Sequence, residues 1–178
     1  MPVRHVPYAE VREDALRLTA SIVWSVVTTV DAEGRPRSRI LHPVWTELDG
    51  ELRGLVAARP TPVKLAEIAA NPYVSCAYWT PAFDSVFIDA GAAWVTPDAK
   101  RAAWDHIRSL PPPVGYDPAP MWPDGPDSPG FVALTLTPYR IRVQLGAEVA
   151  KGIPDRFWSR SGAKAPPTDG MLPAPGRV

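Results

Sequence analysis

Three short runs rich in β-branched residues follow one another at 21–30, 36–45 and 51–58, and tight-turn sequences separate them. The first turn reads DAEG at 31–34, and the second reads LDG at 48–50. Aspartate and glycine at such positions supply the backbone conformations that short hairpin turns need. This spacing predicts a meander of three antiparallel strands, which is the feature that most constrains the fold.

Apolar periodicity and turn residues predict the remaining elements. They are helices at 8–20, 62–70 and 96–108, and strands at 73–79, 85–95, 131–138 and 139–146. Gly91 is expected to mark a bulge or a close backbone approach within its strand. Because the helices are too few to cover both faces of a parallel sheet, we expect a mainly β (α+β) fold, namely a small antiparallel barrel with peripheral helices.

Domain organisation follows from composition along the chain. Residues 1–158 are expected to form a single domain, and 159–178 a tail rich in Pro, Gly and Ala that frays. Between the third helix and the last strands, the segment 109–130 is rich in proline and glycine. It also carries Tyr116, Met121 and Trp122, so we expect an ordered loop rather than a disordered linker.

Composition excludes several classes of function. Nineteen basic residues balance nineteen acidic ones, which disfavours nucleic-acid binding. The single Cys76 lies in a strand-like run and is expected to be a buried packing residue. His5, His42 and His106 have no metal-ligand spacing, so no metal is predicted. No apolar run has the length of a signal peptide core or a membrane span, and we expect a soluble cytoplasmic protein with no membrane partner.

The run ARPTPVK at 58–64 places a cation at the start of a predicted helix. Thr61 suits the N-cap and Pro62 the first helical position, so Lys64 lies in the first turn. The helix dipole disfavours a cation there by about 0.3–1 kcal/mol. A bound anion would remove the conflict, although the lysine stem could also simply carry the charge into water. The apolar face of this helix is expected to comprise Leu65, Ile68 and Ala69.

Strand alternation raises a similar question for the basic residues at 37–42. It places Arg37, Arg39 and Leu41 on one side of the strand, and Ser38, Ile40 and His42 on the other. Each side therefore carries basic and apolar residues together. A buried anion would account for this arrangement, and the alternative is a pair of arginines on an exposed strand face.

The order of the segments GRPRSRILHPVW, ELRGLVAARP, TPVKLAEIAANP and YVSCAYW resembles the pyridoxamine 5′-phosphate oxidase-like split-barrel superfamily. The segments KRAAWDHI and MWPDGPDSPGFVALTLTP are similar to its general stress protein branch. The resemblance covers roughly residues 20–145. It implies an antiparallel split β-barrel that forms a homodimer and binds flavin mononucleotide (FMN), or alternatively the deazaflavin F420, in a cleft between protomers.

The resemblance also implies which residues bind the cofactor. Arg39 and Lys64 match the positions that contact the phosphate, together with the N–H groups and side chain at Thr61, whereas Arg59 lies outside the match. Ile40, Leu41 and His42 are expected beside the flavin ring, and Val56, Ala57 and Ala58 at the border of the cofactor. Trp122 is a further candidate. Like Trp94, it could form a wall of the cleft or belong to the core.

Two departures from the family pattern bear on activity. Relatives often have Thr near Ala58 and Ser near Pro62, so two side-chain contacts to the cofactor are missing. The segment KGIPDRFWSR at 151–160 has Arg156 but lacks the histidine of an Arg-x-His-like substrate motif. Genuine pyridoxamine phosphate oxidase activity is therefore disfavoured.

The function predicted on this basis is an FMN-dependent oxidoreductase that acts on a small-molecule substrate or takes electrons from a reduced nucleotide. No side chain stands out as a catalytic acid or base. Two alternatives stay open: a flavin- or F420-binding stress or carrier protein without turnover, and a split-barrel interaction module without a cofactor.

Overall fold

The computed structural model describes residues 3–160, and the expected tail at 159–178 lies almost entirely outside them. The strands are β1 Val3–His5, β2 Ser25–Val30, β3 Pro36–Leu41, β4 Val44–Leu48, β5 Glu51–Ala58, β6 Tyr73–Trp79, β7 Ser85–Trp94, β8 Val132–Gln144 and β9 Asp155–Ser159. The helices are α1 Tyr8–Ile22, α2 Pro62–Ala70, α3 Lys100–Ser109 and α4 Gly146–Val149. Within 3–160, no helix is both long and apolar enough to cross a membrane.

One sheet contains all of these strands, in the order β1-β9-β8-β7-β6-β2-β3, and β5 joins it by pairing with β8 and β4. Neighbours are antiparallel except for the parallel pair β1 and β9. Among the described residues β3 does not pair with β4, so the sheet curls without closing. The predicted α+β class, with an antiparallel split barrel and peripheral helices, is confirmed.

The predicted three-strand meander is wrong in its middle strand. The segment 36–45 breaks at His42 and Pro43, so β2 and β3 form one hairpin and β4 and β5 form another. Proline lacks a backbone N–H and restricts the residue before it, which ends the ladder there. The first predicted strand is also shorter, because α1 continues to Ile22. The break creates the opening between β3 and β4.

The two final strands of the sequence prediction are one continuous strand, β8. Pro138 lies within it, opposite Ala90, and Tyr139 is the extra residue where the pairing register shifts. A bulge tolerates proline because the ladder is already interrupted. The irregularity expected at Gly91 therefore lies between Asp89 and Ala90, with the extra residue on β8. Strands β1 and β9 were not predicted.

Two hydrophobic clusters fill the structure. The larger lies between α1 and the sheet and includes Cys76, whose thiol is fully buried with a pKa raised to about 12 by burial. The smaller lies under α3, which a short 3₁₀ turn at Pro97–Ala99 precedes, and it contains Trp104 and Phe131. The predicted contact face of α3 is confirmed, with Ala103, Trp104 and Ile107 all buried. This second cluster holds the proline-rich loop 110–131 in place.

Candidate functional site

A groove of about 460 Å³ lies beside the end of β3, which does not pair with β4 among the described strands. Its walls come from the end of β3, the end of β5, the start of α2 and the loop 110–131. The volume lies in the range of small-molecule sites, and the lining is mostly apolar with a few polar groups. The lining residues are Trp24, Ile40, Leu41, His42, Ala57, Ala58, Arg59, Thr61, Lys64, Tyr116, Met121 and Trp122.

Most of the residues that the sequence nominated lie together in this groove. They are Ile40, Leu41, His42, Ala57, Ala58, Thr61, Lys64 and Trp122. The other two nominated residues, Arg39 and Val56, do not line it. Val56 points into the barrel core instead, where it is fully buried. Sequence reasoning missed Trp24, Tyr116 and Met121, which reach the groove from other elements. It left Arg59 outside the matched positions, although Arg59 also lines the groove.

The start of α2 forms the polar end of the groove. Thr61 caps the helix as predicted, with its hydroxyl accepting a hydrogen bond from the Lys64 backbone N–H at 3.4 Å. The helix does not bury the face that the sequence predicted, because Leu65 and Ala69 are exposed. The buried residues are Lys64, Glu67 and Ile68, at a spacing that places all three on one side.

Lys64 is a buried cation with unused hydrogen-bond donors. The residue is only 9% exposed, and its Nζ donates one hydrogen bond, at 3.0 Å, to the carbonyl of Arg59. Among residues 3–160 no carboxylate forms an ion pair with Nζ. Burial lowers the pKa of Lys64, the charge of Arg39 lowers it further, and Glu67 opposes the shift. An anion bound in the groove would relieve this desolvation.

Arg39 lies near Lys64 but is already engaged. Its Nη2 donates to Glu67 Oε2 at 2.7 Å, and its Nη1 donates to the Thr29 hydroxyl at 2.6 Å. Arg37 approaches the other carboxylate oxygen of Glu67, with Nε at 3.2 Å from Oε1. The buried anion that the strand pattern called for is therefore the chain's own Glu67, whose side chain is 3% exposed.

Sequence reasoning did not identify Glu67, although a signal for it exists. Lys64 and Glu67 are three residues apart on a helix, so both side chains face the strand that carries Arg39. A charged residue on the same helical face as Ile68 is unusual unless it is paired. The helical spacing could have suggested that Glu67 pairs with a basic residue of the strand. It could not have predicted the geometry that turns Arg39 towards Glu67.

Aromatic rings form one wall of the groove. The His42 ring stacks on Tyr116 with centroids 4.5 Å apart, and Trp24 contacts the His42 ring at a tilt, with centroids 5.4 Å apart. Burial lowers the pKa of His42, and a hydrogen bond to the Val114 backbone partly opposes that shift. His42 is therefore neutral near pH 7. Its Nε2 is buried and, among the described residues, has no hydrogen-bond partner.

The structure also resolves the alternatives for the tryptophans. Trp122 is both core and wall: its ring packs edge-on against Phe131 at 5.3 Å, its Nε1 donates to the Gly130 carbonyl, and it lines the groove. Trp94 packs against the larger core cluster and does not line the groove. Arg156 lies elsewhere, with Nη2 2.7 Å from Asp14 Oδ2 and 3.6 Å from Glu148 Oε2.

The groove suits a flat, largely apolar molecule with an anionic end. β3 is hydrogen bonded only to β2 among the described strands, so its other edge has free backbone groups for a ligand. Ala57 and Ala58 on β5 are small enough to let a planar ring approach the backbone. Lys64 and the α2 N-terminus supply positive charge and N–H donors for the anion.

Comparison with known proteins identifies the fold of this chain through solved structures and not through its sequence. No family model and no curated protein matches this chain. Among solved structures, a Clostridium acetobutylicum protein described as related to general stress protein 26 of the pyridoxinephosphate oxidase family has a TM-score of 0.65 at 13% identity, covering 86% of this chain and 96% of that chain.

Two further structures agree with this fold. A Nostoc punctiforme protein described as pyridoxamine 5′-phosphate oxidase-related and FMN binding has a TM-score of 0.62 at 17% identity, covering 88% of this chain and 93% of that chain. General stress protein 26 of Bacillus anthracis has a TM-score of 0.51 at 18% identity, covering 72% and 92%. The chain therefore has the split-barrel fold of the pyridoxamine 5′-phosphate oxidase-like proteins.

Proposed function

We propose that the groove binds a flavin-type cofactor, FMN or alternatively F420, and that the protein is an oxidoreductase that uses it. The observation that carries the proposal is the position of Lys64, a buried cation without an ion-pair partner among the described residues, at the polar end of a mostly apolar groove. The FMN-binding description of the Nostoc punctiforme protein, which shares the fold, supports it.

The polar end of the groove would hold the cofactor's phosphate. Lys64 Nζ donates one hydrogen bond, to the Arg59 carbonyl, and its other N–H groups can donate to a phosphate. The Thr61 side chain and the first-turn N–H groups of α2 add oriented donors, as helix N-termini commonly do for phosphates. Because Ala58 and Pro62 carry no hydroxyl, the backbone and Lys64 would contribute most of the phosphate contacts.

The apolar part of the groove would hold the ring system. The open edge at the end of β3 and the following His42 would offer backbone groups to the polar rim of a flavin ring, and Ala57, Ala58 and Trp122 would line the groove beside it. A bound flavin would supply hydride acceptance and donation. The neutral His42 and its aromatic neighbours would cover one face of a bound ring without adding charge beside it.

We also propose a homodimer. Val26 on β2 pairs with Ile40 on β3, and Trp24 immediately precedes β2. The three residues are 40%, 62% and 60% exposed. Such an apolar patch beside the groove favours contact with a second copy of the chain. Sedimentation analysis of the wild type and of Ile40→Glu tests this, with a dimer expected for the first and a monomer for the second.

A non-catalytic cofactor carrier is the second candidate, and the composition of the groove favours it. None of the described lining residues is an acid, and His42 is neutral. Proton transfer during turnover would then depend on Lys64, Tyr116 or solvent. The carrier and the oxidoreductase make the same prediction for binding and differ only in turnover.

The test is the visible spectrum of the purified protein mixed with FMN or F420, followed by NADH, NADPH or a reduced deazaflavin. A binding-induced spectral shift and bleaching that depends on the protein support the oxidoreductase. Binding without accelerated bleaching supports the carrier. If neither cofactor causes a spectral shift at concentrations up to roughly 1 mM, a weak limit for specific sites, the proposal is wrong.

A further inference from the structure

We propose that the protein has a second ligand site, a pocket on the outer face of the sheet that binds a small carboxylate with an apolar or aromatic body. The pocket has a volume of about 280 Å³ and is formed by β1 and β6 to β9. It shares none of its described lining residues with the groove. The inference is therefore independent of the proposed cofactor function.

The charged residues of the pocket point away from the larger core cluster. Arg140 and Arg142 are two residues apart on β8, and Ile141 between them is fully buried in that cluster. Arg142 lies opposite Phe87 on β7 and opposite Phe157 on β9. Because successive side chains of a strand alternate between its two faces, these three residues form one row on the outer face.

The only acid among the described lining residues is already paired. Asp89 lies opposite Arg140 in the sheet, and Arg140 Nε donates to Asp89 Oδ2. The Arg140 side chain is 53% exposed, so its terminal nitrogens stay open to a ligand. Ser75, opposite Asp89 on β6, adds a hydroxyl to the same row. The charges of Asp89 and Arg140 cancel, and the acid does not oppose a bound anion.

Arg142 is the cation that no acid compensates. Its guanidinium carbon lies 4.3 Å from the centroid of the Phe87 ring, and this contact uses the face of the guanidinium rather than its N–H groups. Among residues 3–160 no carboxylate forms an ion pair with it, and its Nε is buried without a hydrogen-bond partner. The pocket thus carries one net positive charge, with the terminal N–H groups of Arg142 free to donate.

These features define the chemical class of the ligand. A planar guanidinium matches the two oxygens of a carboxylate. Phe87, Phe157 and Val3 supply apolar walls for the rest of the molecule. The volume is slightly below the usual range of small-molecule sites, so the body is limited to about one ring or a short branched chain. Benzoate has these properties and serves as the probe.

The pocket borders the apolar patch that we propose for the dimer contact. Val26 on β2 and Phe87 on β7 both pair with Ala77 on β6, so about 10 Å separates them at the usual spacing of strands. All groups that would hold the carboxylate belong to one chain. Binding is therefore expected in the Ile40→Glu monomer as well as in the wild type.

The experiment titrates benzoate into the full-length protein at pH 7 by isothermal calorimetry, with benzamide as a neutral probe of the same shape. We expect a dissociation constant of about 0.1–1 mM for benzoate, and binding of benzamide at least roughly tenfold weaker. Arg142→Gln should weaken benzoate binding roughly tenfold or more. Arg142→Lys keeps the charge but loses the planar fork, and it should weaken binding less. The control Arg101→Gln removes an exposed arginine paired with Asp127 and should change little.

Lys64→Met separates this pocket from the groove. Benzoate binding should be unchanged in Lys64→Met, because Lys64 lines only the groove. Loss in Lys64→Met but not in Arg142→Gln would place the carboxylate in the groove and overturn the inference. Equal affinities for benzoate and benzamide in the wild type would also overturn it, even if Arg142→Gln fails to fold.

Two further outcomes bear on the inference. Loss of benzoate binding in Ile40→Glu would show that the site needs a second copy of the chain, which contradicts a site formed by one chain. Absence of benzoate binding to the wild type at concentrations up to roughly 10 mM overturns the inference and leaves the proposed cofactor function untouched. Failure of FMN and F420 to bind overturns the proposed function alone.

Discussion

Arg39 Nη2 donates to Glu67 Oε2 at 2.7 Å. This bond pairs Arg39 with a carboxylate of the chain and leaves Lys64 to face the groove. Without it, Arg39 and Lys64 would be two adjacent cations facing the same ligand. With it, Arg39 neutralises a buried carboxylate, and Lys64 alone among these three residues lines the groove. Arg39 thus supports the site by holding β3 against α2.

Loss of Arg39 should therefore lower the free energy of unfolding more than it weakens cofactor binding. In Arg39→Met, the 3% exposed Glu67 keeps only Thr29 and the largely exposed Arg37 as partners. We expect the free energy of unfolding to fall by about 1–3 kcal/mol, because a buried carboxylate loses its main charged partner. Urea denaturation followed by tryptophan fluorescence measures this loss.

A double-mutant cycle isolates the pair. Arg39→Met combined with Glu67→Gln should lose less unfolding free energy than the sum of the two single variants, since the second change removes the unpaired charge. Losses that simply add would show that the two residues do not stabilise the protein as a pair.

Gly54 on β5 should not tolerate alanine. It pairs with Trp45 across the β4–β5 hairpin, and a Cβ at this position would lie 2.7 Å from Trp45 Cζ3. The indole cannot retreat easily, because its Nε1 donates to the Tyr78 hydroxyl at 2.7 Å within the core. We expect Gly54→Ala to lower the free energy of unfolding by about 1–3 kcal/mol. Chemical denaturation measures the loss, and an unchanged value would contradict the close packing.

The same substitution should cost less stability when a smaller side chain replaces the indole of Trp45. In a Trp45→Leu background, which is itself less stable, adding Gly54→Ala should cost much less than in the wild type. An equal cost in both backgrounds would place the clash somewhere other than on the indole.

Acid should destabilise the protein partly through His106. This residue is 8% exposed, both ring nitrogens lack described partners, and burial lowers its pKa below the ordinary value of 6.5. The unfolded chain then binds a proton at higher pH than the folded chain. The free energy of unfolding is therefore highest above the unfolded pKa and decreases as pH falls through 6.5 towards the folded pKa.

Replacing the imidazole removes this contribution. His106→Phe should show a shallower loss of unfolding free energy than the wild type between pH 7 and 5, with the remaining slope due to other groups, including His42. Denaturation curves at several pH values give both slopes. Identical slopes would mean that His106 is not the group that binds the proton on unfolding.

The sequence was informative where local chemistry decides the structure. The Thr61 cap and the proline after it predicted the start of α2 correctly, because caps and first-turn prolines act within one helical turn. It failed where tertiary contacts decide. Nothing local distinguishes one strand from two at Pro138, since the outcome depends on the bulge opposite Asp89 and Ala90.

The site shows the same division. Strand alternation made a buried anion near Arg39 one of two interpretations, but alternation cannot tell a ligand phosphate from a carboxylate of the chain. Glu67 supplies that carboxylate from another element, 28 residues along the chain. Tyr116 and Met121 reach the groove through a loop whose course no periodic pattern describes.

Lys64 supplies the charge on which phosphate binding in the groove is proposed to depend. Lys64→Met keeps the apolar stem and removes the charge, and Lys151→Met makes the same change at an exposed position. Binding of FMN and of riboflavin to each variant is measured by fluorescence quenching at pH 7. We expect Lys64→Met to weaken FMN binding roughly 10–100-fold, the usual effect of losing a charged hydrogen bond, while riboflavin binding and the Lys151→Met control change little. Equal losses for FMN and riboflavin in Lys64→Met would contradict the central claim that Lys64 binds the phosphate.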